Sequence, residues 1–191
     1  MLEVKRPTLL LNKEISVSNI KKLKNKVDKY NIVLRPHFKT HQSIEVGKWY
    51  KDEGIDKITV SSVSMAKYFS ESWDDIMIAF PINILEIDTL NSISKRCKIS
   101  ILVDNFSVLD YLDKNLLERV NVFIKIDVGY KRAGIVYDNF SDIDDIISFC
   151  SKSKFLFFKG FVSHFGNTYK SMGKKEIISS YNQSLNKLKD L

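Results

Sequence analysis

Short, nearly continuous apolar runs recur along the chain at residues 32–34, 58–60, 76–80, 99–103, 122–126 and 155–162. Between them lie stretches whose apolar residues fall at helical spacing. Ile20, Leu23, Val27 and Tyr30 mark a first amphipathic helix, with Ser16 or Ser18 as its cap. Residues 44–51 form a second, stopped near Gly54. Ala66, Tyr68 and Phe69 mark a third; Ile84, Ile87 and Leu90 a fourth; Leu109 and Leu112 a short fifth. A sixth opens at Ser141, with Asp144 three residues on in the manner of a capping box. Ile177, Tyr181, Leu185 and Leu188 define a last helix, and residues 8–11 make a short apolar entry that reads as a strand.

Strand and helix thus alternate about six times. Continuous apolar strands separated by amphipathic helices predict an α/β fold with a parallel sheet covered on its faces. Two architectures compete, an open doubly wound sheet and a TIM-type (β/α)8 barrel. No glycine-rich nucleotide loop follows any strand, which weighs against the first. A barrel needs eight strands and typically about 250 residues. Six β-α units in 191 residues, closing on a helix, predict a barrel truncated after about its sixth unit.

A content of 44% hydrophobic and 12% aromatic residues is that of a packed globular chain and excludes disorder. No apolar run approaches the roughly 20 residues that span a bilayer, and the amino terminus has no signal-peptide core. Cys97 and Cys150 are too few for a disulfide framework or a zinc site. These features predict a cytoplasmic protein with free thiols and no membrane partner. The formal charge of +7 comes from dispersed lysines. Its one modest cluster, Lys21, Lys22, Lys24, Lys26 and Lys29, reads as the wet face of a helix, without the interleaved aromatics of a nucleic-acid platform. A nucleic-acid partner is therefore not expected, whereas an anionic small molecule would be attracted.

The chemistry concentrates in Arg35-Pro36-His37-Phe38-Lys39-Thr40-His41, which holds two of the three histidines. On a strand, alternation would put Arg35, His37, Lys39 and His41 on one face and Pro36, Phe38 and Thr40 on the other. A lysine among cationic neighbours has its ammonium form disfavoured, and a neutral amine can attack a carbonyl to form a Schiff base. Pro36, which lacks a backbone donor, fits the carboxyl end of a strand, where active sites of α/β proteins collect. The fifth strand ends in Lys125-Ile126-Asp127-Val128-Gly129-Tyr130-Lys131-Arg132-Ala133-Gly134, where two glycines bracket a turn able to present Arg132 to a phenolate or carboxylate. The sixth ends in Ser163-His164-Phe165-Gly166-Asn167-Thr168-Tyr169, a flat imidazole, a close-approach glycine and a phenol.

These segments resemble, in order, the fold-type III pyridoxal-phosphate enzymes with an alanine-racemase-type barrel. RPHFKTH resembles the branch of D-threonine aldolase and D-serine dehydratase, and the resemblance runs from about Thr8 to the end of the chain. It implies pyridoxal 5'-phosphate as cofactor, with Lys39 as its Schiff-base lysine and the group acting on the substrate α-proton. It implies Arg132 beside the phenolic oxygen, His164 stacked on the ring and Tyr169 near it. Lys125 corresponds to a supporting lysine of alanine racemases, and His37 and His41 would stand behind the direct contacts. The implied activity is a lyase on a D-3-hydroxy amino acid; an amino-acid racemase and a non-catalytic cofactor-binding barrel are the alternatives, with a module binding no cofactor as the bland one. Two residues depart from the pattern, Lys131 where a glycine or small polar residue is common and Met65 where many relatives carry an acid. Relatives take phosphate-binding groups from later strands, and further groups, divalent-metal ligands included, from a carboxyl-terminal β-domain. On this reading residues 1–191 are a partial barrel and that domain is absent. Relatives of this type commonly dimerise, so a homodimer is also implied.

Overall fold

A computed structural model describes residues 5–191. Helix α1 (Lys13–Lys29) is followed by α2 (Ile44–Asp52), β1 (Lys57–Val60), α3 (Val63–Phe69) and β2 (Asp75–Pro81). Then come α4 (Ile87–Ser94), β3 (Lys98–Val103), α5 (Ser107–Asn115) and β4 (Val120–Asp127). The chain ends with the two-residue β5 (Ile135–Val136), α6 (Phe140–Lys152), β6 (Leu156–Ser163) and α7 (Lys174–Lys189). All strand pairings are parallel, in the order β1-β2-β3-β4, with β6 on β4 and β5 on the end of β4. This is the predicted α/β architecture, seen as an open arc of parallel strands.

The two faces of the sheet differ in chemistry. Along β4, Val120, Val122, Ile124 and Ile126 are fully buried and join the core beneath the helices. The alternate residues Asn121, Phe123, Lys125 and Asp127 face the other way, half-buried. On β2 and β3 the same inward face carries Met77 and Leu102. Helix α3 seats Val63, Ala66 and Phe69 on the core side, and α6 seats Ile143, Ile146 and Cys150. Both cysteines are free and buried, and burial pushes the Cys150 thiol up to about 11.

Several local expectations fail for definable reasons. Residues 8–11 form no strand, and Leu9, Leu10 and Leu11 are exposed. Asn12 caps α1, its Oδ1 accepting the Ile15 amide at 2.9 Å, while Ser16 bonds back to Asn12 O inside the first turn. Only Ile20 of that helix is buried, and Leu23 and Tyr30 are exposed. Helix α6 is capped by Asn139 rather than opened by Ser141, because the Asn139 amide oxygen reaches the Asp142 amide. Residues 32–34 are not a buried strand: Ile32 is 57% and Val33 69% exposed. The segment meets β1 only at its end, where Pro36 O accepts the Thr59 amide at 2.8 Å and His37 bridges Thr59.

Immediately after that bridge the backbone tightens into a 3-10 turn over Phe38–Thr40. The two-residue alternation expected for 35–41 therefore breaks: His37 and Lys39 stay on one side, while Arg35 and His41 turn away from them. Arg35 points toward the start of β2, donating to Asp75 Oδ1 at 2.7 Å and to Ile58 O at 3.1 Å. His41 packs on Phe38 and Tyr50, with ring centroids 4.4 and 5.8 Å apart. Phe38 is fully buried against Phe69 and Trp73, and Gly47 of α2 approaches it so closely that a Cβ there would lie 3.0 Å from the ring.

The part-buried Arg35–Asp75 pair fastens the turn to the sheet across β1, and Lys98, 3.8 Å from Asp75, is the acid's only other ion-pair partner among the described residues. Removing one partner of such a pair strands the other. Arg35→Met is expected to lower unfolding stability by roughly 1–3 kcal/mol in urea titrations. Asp75→Asn added to it should cost clearly less than it does alone; additive losses would show that the two do not act as a pair.

Candidate active site

The carboxyl ends of β4 and β6 and the turn after residue 37 converge on one cavity of about 110 Å³. Its polar wall is His37, Lys39, Lys125, Asp127, Arg132 and His164. Ala79, Phe80 and Pro81 from β2, with Ile126, Tyr130 and Ala133, supply the rest. Sites at strand carboxyl ends are the rule for parallel α/β architectures.

The loop between β4 and β5 is built to aim two side chains. The Asp127 carboxylate accepts the backbone amides of Gly129 and Lys131 at 2.9 and 3.0 Å. Lys131 takes φ +58, a left-handed conformation uncommon outside glycine and asparagine. The departure noted at this position thus coincides with a strained residue, held by the acid beside it. From the other side, Lys187 of α7 donates to Val128 O at 3.1 Å and stands 4.7 Å over the Tyr137 ring. Gly134, at φ +115, closes the turn; a Cβ there would meet Lys125 O at 2.8 Å. Between these anchors Tyr130 and Arg132 face the cavity.

β6 delivers the imidazole. Its register on β4 pairs Ile126 with Ser163, and the Ser163 hydroxyl donates to Ile126 O at 2.8 Å, so His164 follows directly beside the β4 end. The His164 ring meets Tyr130 edge-on at 5.5 Å and Tyr169 at 5.6 Å, and Tyr169 Oη lies 3.3 Å from His164 Nε2. Gly166 permits this packing, since a Cβ would fall 2.5 Å from the Tyr130 ring. Asn167 ties the following 3-10 turn to Ser184 of α7 at 2.6 Å.

Charge inside the cavity is one-sided. Lys39, Lys125 and Arg132 make no hydrogen bond or ion pair through their cationic groups to any described residue, and Asp127 is engaged by backbone amides. Burial lowers the His164 pKa below its usual value, and the charges of Arg132, Lys125 and Lys39 lower it further. Burial and the neighbouring Arg132 likewise lower Lys125. His37 is held at about 4 by burial and by Lys39. The Asp104 carboxylate acts the other way on Lys125, raising it, and the cavity sets two lysines and an arginine beside imidazoles whose protonation is disfavoured, an environment for a flat anion.

Of the residues singled out in the sequence, Lys39, Arg132 and His164 come together on this cavity, and Lys125 and His37 join them. Tyr169 does not line it; it is 70% exposed and reaches the site through His164. His41 lies away from it, in a groove beside α1 and α2. Tyr130 is the residue that sequence reasoning left without a role. The signal available was its place between two glycines, two residues before Arg132.

The chain matches the model of the alanine racemase N-terminal domain over residues 15–191. It is 30% identical to a D-serine dehydratase of Dictyostelium discoideum over 90% of this chain and 47% of that protein. It is 26% identical to a D-serine dehydratase of Schizosaccharomyces pombe over 88% of this chain and 44% of that protein. The crystal structure of D-threonine aldolase from Filomicrobium marinum superposes with a TM-score of 0.89 at 18% identity, covering 96% of this chain and 51% of that one. The chain therefore spans about half the length of these relatives. With the motif-bearing strand ends in order on one cavity and a family model matching nearly its whole length, this chain belongs to the alanine racemase N-terminal domain family, the fold-type III pyridoxal-phosphate proteins.

Proposed function

We propose that this chain supplies the cofactor-binding barrel portion of a pyridoxal-phosphate-dependent lyase acting on a D-3-hydroxy amino acid, of the D-serine dehydratase or D-threonine aldolase type, with Lys39 as the cofactor lysine. The observation that carries the proposal is the set of three basic side chains that face one cavity without a hydrogen-bond or ion-pair partner among the described residues, Lys39 from the 3-10 turn after His37, Lys125 from β4 and Arg132 from the loop that follows it.

The donor set fits the cofactor. A planar pyridine with an anionic ring oxygen and a phosphate needs a primary amine, a guanidinium and a flat uncharged neighbour. Lys39 would hold it covalently, Arg132 would meet the ring oxygen, and the uncharged His164 imidazole would cover a face. When bound, the cofactor supplies an electron sink for bonds at the substrate α-carbon. The chain's own residues do the rest. Arg132 is aimed by the Asp127-anchored loop, so its charge is placed before ligand arrives. Once the substrate amine has taken its place, Lys39 Nζ is free to hold or move the α-proton. Tyr169 orients the His164 ring through the 3.3 Å contact rather than touching ligand itself. Among the described residues no helix is long and apolar enough to cross a membrane.

Borohydride reduction of the chain with added pyridoxal phosphate, followed by peptide mass mapping, should place a covalent adduct on Lys39 and none in Lys39→Ala. An adduct on another lysine, or one surviving in the variant, would refute the assignment. Arg132→Met should retain the Lys39 adduct at saturating cofactor but bind pyridoxal phosphate roughly tenfold to hundredfold more weakly, the scale of a lost charge-assisted hydrogen bond. An unchanged dissociation constant would remove Arg132 from the site.

The depressed pKa of His37 also gives a stability signature. The unfolded chain takes up that proton near pH 6.5, while the folded chain resists it until about 4. Its contribution to stability is therefore complete above pH 6.5 and is lost as the pH falls toward 4. Urea midpoints measured between pH 7 and 4.5 should fall less steeply in His37→Asn than in the parent chain. Parallel curves would mean that His37 titrates alike in both states.

A further inference from the structure

Resting on the reading above, we infer that His37 is a substrate-binding residue with two fixed duties: its Nδ1 holds the turn that carries Lys39, and its Nε2–H is offered to the α-carboxylate of the bound amino acid. The geometry assigns both. Nδ1 accepts the Lys39 backbone N–H at 3.3 Å, capping the 3-10 turn. The backbone beneath is fixed by the Thr59 bridge and by the Thr59 amide on Pro36 O at 2.8 Å. The imidazole lines the cavity together with Lys39, and its Nε2 bonds to no described residue.

Imidazole chemistry then leaves little freedom. A neutral ring whose Nδ1 accepts a hydrogen bond must carry its single proton on Nε2, and His37 stays neutral down to about pH 4. With Nδ1 taken and Nε2 protonated, no lone pair is left to remove a proton, so the ring serves as a donor and not as a base. What it donates to follows from the substrate. An amino acid whose nitrogen replaces Lys39 Nζ has its carboxylate carbon two bonds from that nitrogen, next to the lysine and hence next to His37. The other two basic groups of the cavity stand on β4 and its loop rather than on the turn that carries Lys39: Arg132 is directed to the cofactor ring, and Lys125 lies close enough to Arg132 for that charge to lower its pKa.

The two duties separate by substitution. Asparagine caps three other turns of this chain through Oδ1, at Asn12, Asn83 and Asn139, so His37→Asn keeps the Nδ1 duty and deletes the donor. His37→Gln places an amide N–H nearer the Nε2 position and gives up the cap. The full chain, loaded with pyridoxal phosphate, is titrated with D-serine and with serinol, the same amine bearing a hydroxymethyl in place of the carboxylate, following the cofactor absorbance. His37→Asn should still yield the Lys39 adduct, bind D-serine tenfold to hundredfold more weakly and bind serinol within twofold of the parent. His37→Gln should recover part of the D-serine affinity while unfolding at lower urea. Unchanged D-serine binding in His37→Asn, or equal losses for the two amines, would overturn the inference while leaving the cofactor reading intact. If His37→Asn loses the adduct, the D-serine to serinol ratio in His37→Gln decides instead: a ratio reduced as far as in His37→Ala overturns the donor role. A parent chain that forms no adduct on Lys39 overturns the cofactor reading, and this inference with it.

Discussion

Everything at the site depends on the parallel register of β4 between β3 and β6. A parallel pair fixes not only which residues lie side by side but at which height both chains leave the sheet. Because Ile126 stands opposite Ser163, the loop that carries Tyr130 and Arg132 and the turn that carries His164 emerge together and interlock ring against ring. The strict alternation along β4 completes the arrangement: the residues that feed the core leave Lys125 and Asp127 no choice but the opposite face. A slip of one residue would bury the lysine among isoleucines and turn Ile124 outward.

The cavity is also where local stability has been set aside. Three basic side chains without partners among the described residues, a non-glycine residue in the left-handed region and histidines whose protonation is disfavoured gather around this one cavity. A concentration of that kind is uneconomical for folding alone and intelligible where a flat anion completes the field. The supporting contacts are made by Asp127 from the cavity wall and by Lys187 and Arg35 from outside it, and each fixes a segment that borders the cavity.

Much of this was legible in the order of residues. The strands β1, β2, β3, β4 and β6 could be read because each holds a run of mostly apolar side chains, whereas the two-residue β5 offers no such run, and the ends of β4 and β6 announced themselves by their polar clusters. What escaped depended on single contacts. The apolar character of Ile32 and Val33 suggested burial, but burial needs a neighbour, and the segment touches β1 only at Pro36 and His37. The common face expected for Arg35, His37, Lys39 and His41 assumed an extended backbone, which the cap on Nδ1 of His37 converts into a turn. Tyr130 carried only its position between two glycines as a signal, because its packing is decided by the close approach at Gly166, far along the chain. Caps at Asn12 and Asn139 won over nearby serines through one amide oxygen each.

Phe38, between His37 and Lys39, gives the arrangement its mechanical character. Its ring is sealed among Tyr50, Phe69 and Trp73, with Gly47 pressed against one edge. The lysine is therefore not a side chain on a pliant loop. It rides on a peg driven into the buried core, and its amine moves chiefly through its own four methylenes. The helix face at Gly47, which borders no ligand, accordingly sets the height at which the amine stands. Evolution or an engineer could retune the reach of that amine from there, through the thickness of the core, with every residue of the cavity left as it is.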